Sequence, residues 1–82
     1  MEINKELVIK SLQGILEIFE NAKQNGNQER IEKERMVMIG FTLATAGLIN
    51  FPVESYEAMM KDKTIEAEDI ARLILAYAES CL

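Results

Sequence analysis

Between Met36 and Val53 the chain runs for eighteen consecutive residues, MVMIGFTLATAGLINFPV, without one charged side chain. The segments on either side are dense with charge. Apolar surface left in water costs about 25 cal/mol per Å², so this segment calls for cover from neighbouring helices, from a second copy of the chain or from lipid. Its length lies at the short end of the ~17–25 residues that span a bilayer, and Lys33 and Arg35 give it a basic flank. Thr42, Thr45, Asn50 and Pro52 interrupt it, however, and no Trp or Tyr belt borders it. The amphipathic segments around it also need an apolar partner. The reading is therefore a buried central helix, in which Phe41→Asp or Leu48→Asp would bury an unpaired charge and unfold the domain.

The rest of the chain is written for helices. It has 82 residues, enough for one domain over 1–82, and 49% of them are hydrophobic against 28% charged, a globular balance. One Pro and four Gly occur, while Leu, Ile, Ala, Met, Glu and Lys, the residues that lose least on entering a helix, dominate. The expected fold is all-α: a compact bundle of three long helices and one short helix, with helix 2, about 28–50, at its centre.

Asn4 is placed to cap the first helix, with Ile3 and Val8 as a hydrophobic staple. Val8, Leu12, Ile15, Phe19 and Ala22 follow at spacings of four and three, widened by Leu16 and Ile18. Gln24-Asn25-Gly26-Asn27 ends that helix in residues that tolerate left-handed backbone. Helix 2 opens with QERIEKER, alternating in charge and solvated, and then enters the uncharged run. Pro52 suits the first position of a short third helix with Val53, Tyr56, Met59 and Met60 on one side. Thr64 is the expected cap of the last helix, whose stripe is Ile70, Leu73, Ile74, Tyr77 and Cys81.

Charge and residue inventory bound the chemistry. The net charge is −5, and residues 52–82 hold seven acids against three bases. That balance disfavours phosphate-rich partners, because Lys and Arg supply most affinity for nucleic acid. Cys81 is the single cysteine and no His is present, which removes Cys–His nucleophiles and His-containing metal sites. A lone thiol fits a reducing compartment, so a cytoplasmic location is expected. The opening MEINKE lacks the basic-then-apolar pattern of a secretion signal.

Three constellations bear on function. Leu43, Gly47, Leu48, Val53 and Tyr56 loosely match the spacing of a helix-turn-helix, but Leu43 stands where a small residue is usual, and the would-be recognition helix presents Glu54 and Glu57 before any base. The pairs Glu29/Glu32 and Glu54/Glu57 are each three apart on a helix. That arrangement loosely resembles the all-α nucleoside-triphosphate pyrophosphohydrolases, in which facing helices hold Mg²⁺ through acidic pairs. Here the second pair ends in Glu where that family has Asp, and the family's longer acidic signature is missing. Solvated helix faces are the preferred reading of both pairs. Finally, Met36, Met38, Met59 and Met60 fall on consecutive elements, and methionine adapts well to partner surfaces.

The expectation is thus a small acidic protein-binding module, a regulator, inhibitor or adaptor of the kind phages and other mobile elements encode. It is expected to lack catalytic residues, metal and cofactor, with a minimal carboxylate–Mg²⁺ nucleotide pyrophosphohydrolase as the alternative. DNA binding and membrane insertion rank below these. Its partner is a protein, and the chain is expected to form a homodimer. The expected interface is Gly40, Ala44 and Gly47, which share a helix face, with Met59, Met60, Leu75 and Leu82. Gly costs a helix interior up to about 1 kcal/mol relative to Ala, so Gly40 is read as a site of close helix approach. Leu75 lies off the stripe of the last helix and is expected to meet water.

Overall fold

Asn4 opens the first helix as its spacing demands, its Oδ1 accepting the Leu7 N–H at 3.2 Å. The computed structural model describes residues 4–81, in which α1 spans Lys5–Asn25, α2 Gln28–Leu48, α3 Val53–Lys61 and α4 Ala67–Ser80. Helix accounts for 83% of the described residues, and no strand occurs among them. Ile3 of the expected staple and Leu82 of the expected interface lie outside the described residues.

Two short connections set the bundle's geometry. Between α1 and α2, Asn27 caps the second helix by accepting the Arg30 N–H at 2.9 Å. Gly26 is extended, with φ −93° and ψ 164°, so left-handed backbone is not what the turn requires. It needs room instead: a Cβ at Gly26 would stand 2.7 Å from the Ala22 carbonyl oxygen. The left-handed residue is Asn50, at φ 57°. Around it the Phe51 N–H reaches the Ala46 carbonyl at 2.9 Å and the Asn50 N–H reaches Gly47 at 3.3 Å. That is a Schellman motif, which satisfies the last carbonyls of α2 and reverses the chain.

The other two helix starts differ from the sequence reading by small shifts. Pro52 occupies the cap position of α3, so that the helix begins at Val53, one residue later than expected. Thr64 does not cap α4; its N–H and hydroxyl both donate to Asp62 Oδ1, at 2.9 and 2.6 Å. α4 begins only at Ala67, behind Glu66, which makes no side-chain cap.

α1, α2 and α4 pack against one another in pairs, and α3 lies against α4. One core cluster joins Leu12, Ala46, Ile49, Tyr56, Ile70 and Ile74; a second joins Leu16, Phe19, Met38 and Ala71. The edge of one ring meets the face of the other between Phe51 and Tyr77, at 5.0 Å and 87°. α1 buries Ile9, Leu12, Leu16, Phe19 and Ala22, a stripe turned slightly from the expected one, so that Ile18 is exposed. On α4 the inward residues are Ile70, Ala71, Ile74 and Ala78, while Leu73 faces out.

α2 departs most from expectation. It packs on both other long helices, yet its uncharged half is not enclosed. Met38, Thr42, Thr45 and Ala46 are buried, and Met36, Val37, Leu43 and Leu48 face outward. At about 100° per residue the buried set covers roughly 100° of the helix circumference. Leu48→Asp therefore no longer carries the consequence expected from sequence.

Candidate interaction surface

The outward arc of α2 is apolar throughout its second half. Met36 is 74% exposed and Leu43 57%, with Val37, Gly40, Ala44, Gly47 and Leu48 also exposed. These seven positions span roughly 140° of arc at helical spacing. The arc exists because the inward positions went to Thr42 and Thr45. Their hydroxyls donate to the carbonyls four residues back, Met38 at 2.7 Å and Phe41 at 2.8 Å, and so are satisfied without solvent.

Beside the arc lies a cleft between α2 and α3. No helix-to-helix backbone contact closes it, and Tyr56 bridges it from α3 into the core. Its deeper part holds about 180 Å³ and is lined by Ile39, Thr42, Tyr56, Met60, Ile65, Ala67 and Ile70. Small-molecule pockets run to about 300–1,000 Å³, so this one suits one or two side chains. A shallower groove on the outer side of Tyr56 and Met60 runs past Leu43 and Val53 to Glu57 and Lys61. Val53, 69% exposed, and Met60 give this side of α3 an apolar rim.

The expected interface residues divide under this geometry. Gly40, Ala44 and Gly47 share the exposed arc, and a Cβ built on Gly40 or Gly47 meets nothing within 4 Å. Close approach of another helix of the same chain to Gly40 is therefore corrected: no helix lies over it among the described residues. Met60 lines the cleft, whereas Met59 is half-buried against the core. Leu75 is likewise half-buried on the first core cluster, a second correction, because α4 is turned so that Leu73 takes the outward position.

The acidic pairs stay dispersed. Glu29 lies 3.7 Å from Lys33, and Glu32 accepts from Gln28 at 3.3 Å; Glu54 and Glu57 are exposed on α3. No group of three or more Asp, Glu, Cys or His side chains disposed to hold a metal ion occurs among the described residues. No helix among them is long and apolar enough to cross a membrane.

One ionic feature escaped the sequence reading. Glu68, in the first turn of α4, is 5% exposed and takes the Lys23 ammonium from α1 at 2.6 Å. Burial pushes its carboxyl up, but the Lys23 hydrogen bond, its own backbone N–H and the charges of Lys23 and Arg72 together hold it below the usual glutamate value. Lys23 is raised in turn by the same hydrogen bond and charge. The second carboxylate oxygen, Oε1, is buried without a hydrogen-bond partner among the described residues. Arg72 adds ion pairs to Glu20 and, at 3.2 Å, to Asp69. Glu68 reads from sequence as one more acid near a helix N-terminus, and its partner lies 45 residues away. This cluster ties α1 to α4 and takes no part in the apolar surface.

No protein-family model matches the chain, and no significant match to it is found among curated proteins or solved structures.

Proposed function

We propose that the protein is a small acidic protein-binding module that acts as a regulator, inhibitor or adaptor through the side of the bundle formed by α2 and α3. The observation that supports this is the inverted placement on α2, with threonines inward and Met36, Val37, Leu43 and Leu48 outward. Exposed large apolar residues scattered singly are ordinary, but a contiguous patch marks a contact surface. The adjoining cleft offers Tyr56 and Met60 to an incoming side chain, in the manner of a groove that receives an apolar helix face. Its place of work is the cytoplasm, in keeping with the free, exposed Cys81 thiol.

The test is capture from lysate with the wild type beside Val53→Glu and Met60→Glu. Both substituted positions are exposed, so circular dichroism should show an unchanged fold. A protein retained by the wild type and lost by both variants is the expected result. Retention of the same proteins by all three would refute binding at this surface.

A further inference from the structure

The deeper part of the cleft between α2 and α3 holds about 180 Å³, and no charged residue lines it. Ile39, Ile65, Ala67 and Ile70 make most of its wall apolar, and two hydroxyl groups interrupt it. Thr42 is buried with its proton committed to the Met38 carbonyl at 2.7 Å, so its oxygen lone pairs are left to accept. Tyr56 is 7% exposed, yet its hydroxyl makes no hydrogen bond among the described residues. A buried tyrosine hydroxyl ordinarily finds a partner. Burial alone raises the Tyr56 phenol above its usual value, with no hydrogen bond acting on it. Its oxygen is not sealed off either, since the enclosed side-chain atom without a partner among the described residues is Glu68 Oε1.

We propose that this cavity binds a neutral, single-ring aromatic molecule bearing one hydroxyl, which accepts from the Tyr56 hydroxyl and donates to Thr42 Oγ1. The site adds a small ligand to the protein-binding reading and does not rest on it. Its walls come from α2, α3, the turn holding Ile65 and the start of α4, and its α2 residues, Ile39 and Thr42, lie off the exposed arc.

Size, charge and shape select this ligand class. An apolar cavity of about 150 Å³ takes benzene, so about 180 Å³ accommodates a ring and its substituent. A charged molecule would shed its water against uncharged walls and find no counter-charge there. A ring is favoured over a branched chain because Met60 lines the cavity, and a thioether packs well against an aromatic edge. Met60 also borders the outer groove and is 46% exposed. Rotation of that unbranched side chain admits a ligand without unfolding the bundle.

Tyr56→Phe separates the ligand role from packing. It keeps the ring that joins the core and removes only the hydroxyl, which no protein group uses. Because no internal hydrogen bond is lost, the melting temperature should not fall. Phenol and toluene, which match in size and differ in the hydroxyl, are the probes, with benzoate as the charged control. Each is titrated to low millimolar concentration into isotope-labelled protein while backbone amide shifts are followed by NMR. Phenol should give saturable shifts at Thr42, Ile65 and Ile70, and benzoate should give none.

Tyr56→Phe should weaken phenol roughly three- to tenfold, the worth of one hydrogen bond, and leave toluene within about twofold. Ala67→Leu fills the cavity from its α4 side and should abolish binding of both probes, with the melting temperature held or raised. Phenol shifts that never saturate overturn the proposal, as does phenol binding that Tyr56→Phe leaves unchanged. Binding that survives in a folded Ala67→Leu overturns it too. The capture experiment decides the protein-binding reading separately, whichever way these titrations fall.

Discussion

Met38 and Leu43 sit five residues apart in the same uncharged run, and the structure assigns them opposite fates. Met38 is 0% exposed, enclosed by Leu16, Phe19 and Ala71 from the two neighbouring helices. Met38→Ala removes that burial and leaves a cavity, a change worth about 2–5 kcal/mol in protein cores. A chain of 82 residues has a total stability of roughly 4–12 kcal/mol at ~0.05–0.15 kcal/mol per residue. The loss is therefore a large fraction of the whole. Since each kcal/mol moves the melting temperature of so small a domain by about 4–8 °C, Met38→Ala should lower it by at least ~8 °C. Leu43→Ala, on the outer arc, stays within the ~0.5 kcal/mol typical of surface changes, or less than about 4 °C. Both are measured by circular dichroism at the lowest workable concentration, where association contributes least to stability. Equal losses, or a larger one for Leu43→Ala, would refute the rotational setting of α2 and with it the exposed arc.

Three other outcomes follow from the same geometry. Glu68 has a lowered folded pKa, so its pair contributes stability above the unfolded glutamate value of about 4.3 and loses it as pH falls through the folded value. Glu68→Gln should accordingly lower the urea midpoint at pH 7 and flatten its acid dependence below pH ~4.3; an acid limb as steep as that of the wild type would count against the pair. Gly26→Ala forces a Cβ onto the Ala22 carbonyl and should cost about 1–3 kcal/mol, read as a lower urea midpoint; an unchanged midpoint would refute the steric account. Leu48→Asp should keep a cooperative melt, whereas Phe41→Asp, half-buried on the first core cluster, should lose it; matching behaviour of the two would contradict their placement.

The helix pattern was legible because local signals carried it. Asn4 caps as its position suggests, and the first two helices begin where the sequence puts them, although Asn27, read only as a turn residue, supplies the second cap. The last helix was harder, because its expected cap is engaged elsewhere. Asp62 binds the Thr64 N–H and hydroxyl in a local turn, so the helix starts two residues later than Thr64 would have started it. Leu73 faces out and Leu75 lies half-buried on the core, the reverse of the expected stripe. The Lys23–Glu68 pair was out of reach for a different reason: it joins two helices whose mutual register no local spacing encodes.

The outer face of α2 was illegible because it inverts the usual rule. Polarity marks the solvent side of most helices, but Thr42 and Thr45 are the polar marks here and both point inward. Their hydroxyls bond within their own helix, so polarity gives no guide to direction. Turning α2 about its axis would bury Met36, Val37 and Leu43, at roughly 1.5–3 kcal/mol for each fully buried large side chain. The same turn would bring Gly40, Ala44 and Gly47 to the core, where missing side-chain volume leaves voids against α1 and α4. The inward set Met38, Thr42, Thr45 and Ala46 instead fills that space with side chains of graded size. Single-chain packing thus selects which side of α2 turns inward, and the large residues left outside are what a partner surface has to cover.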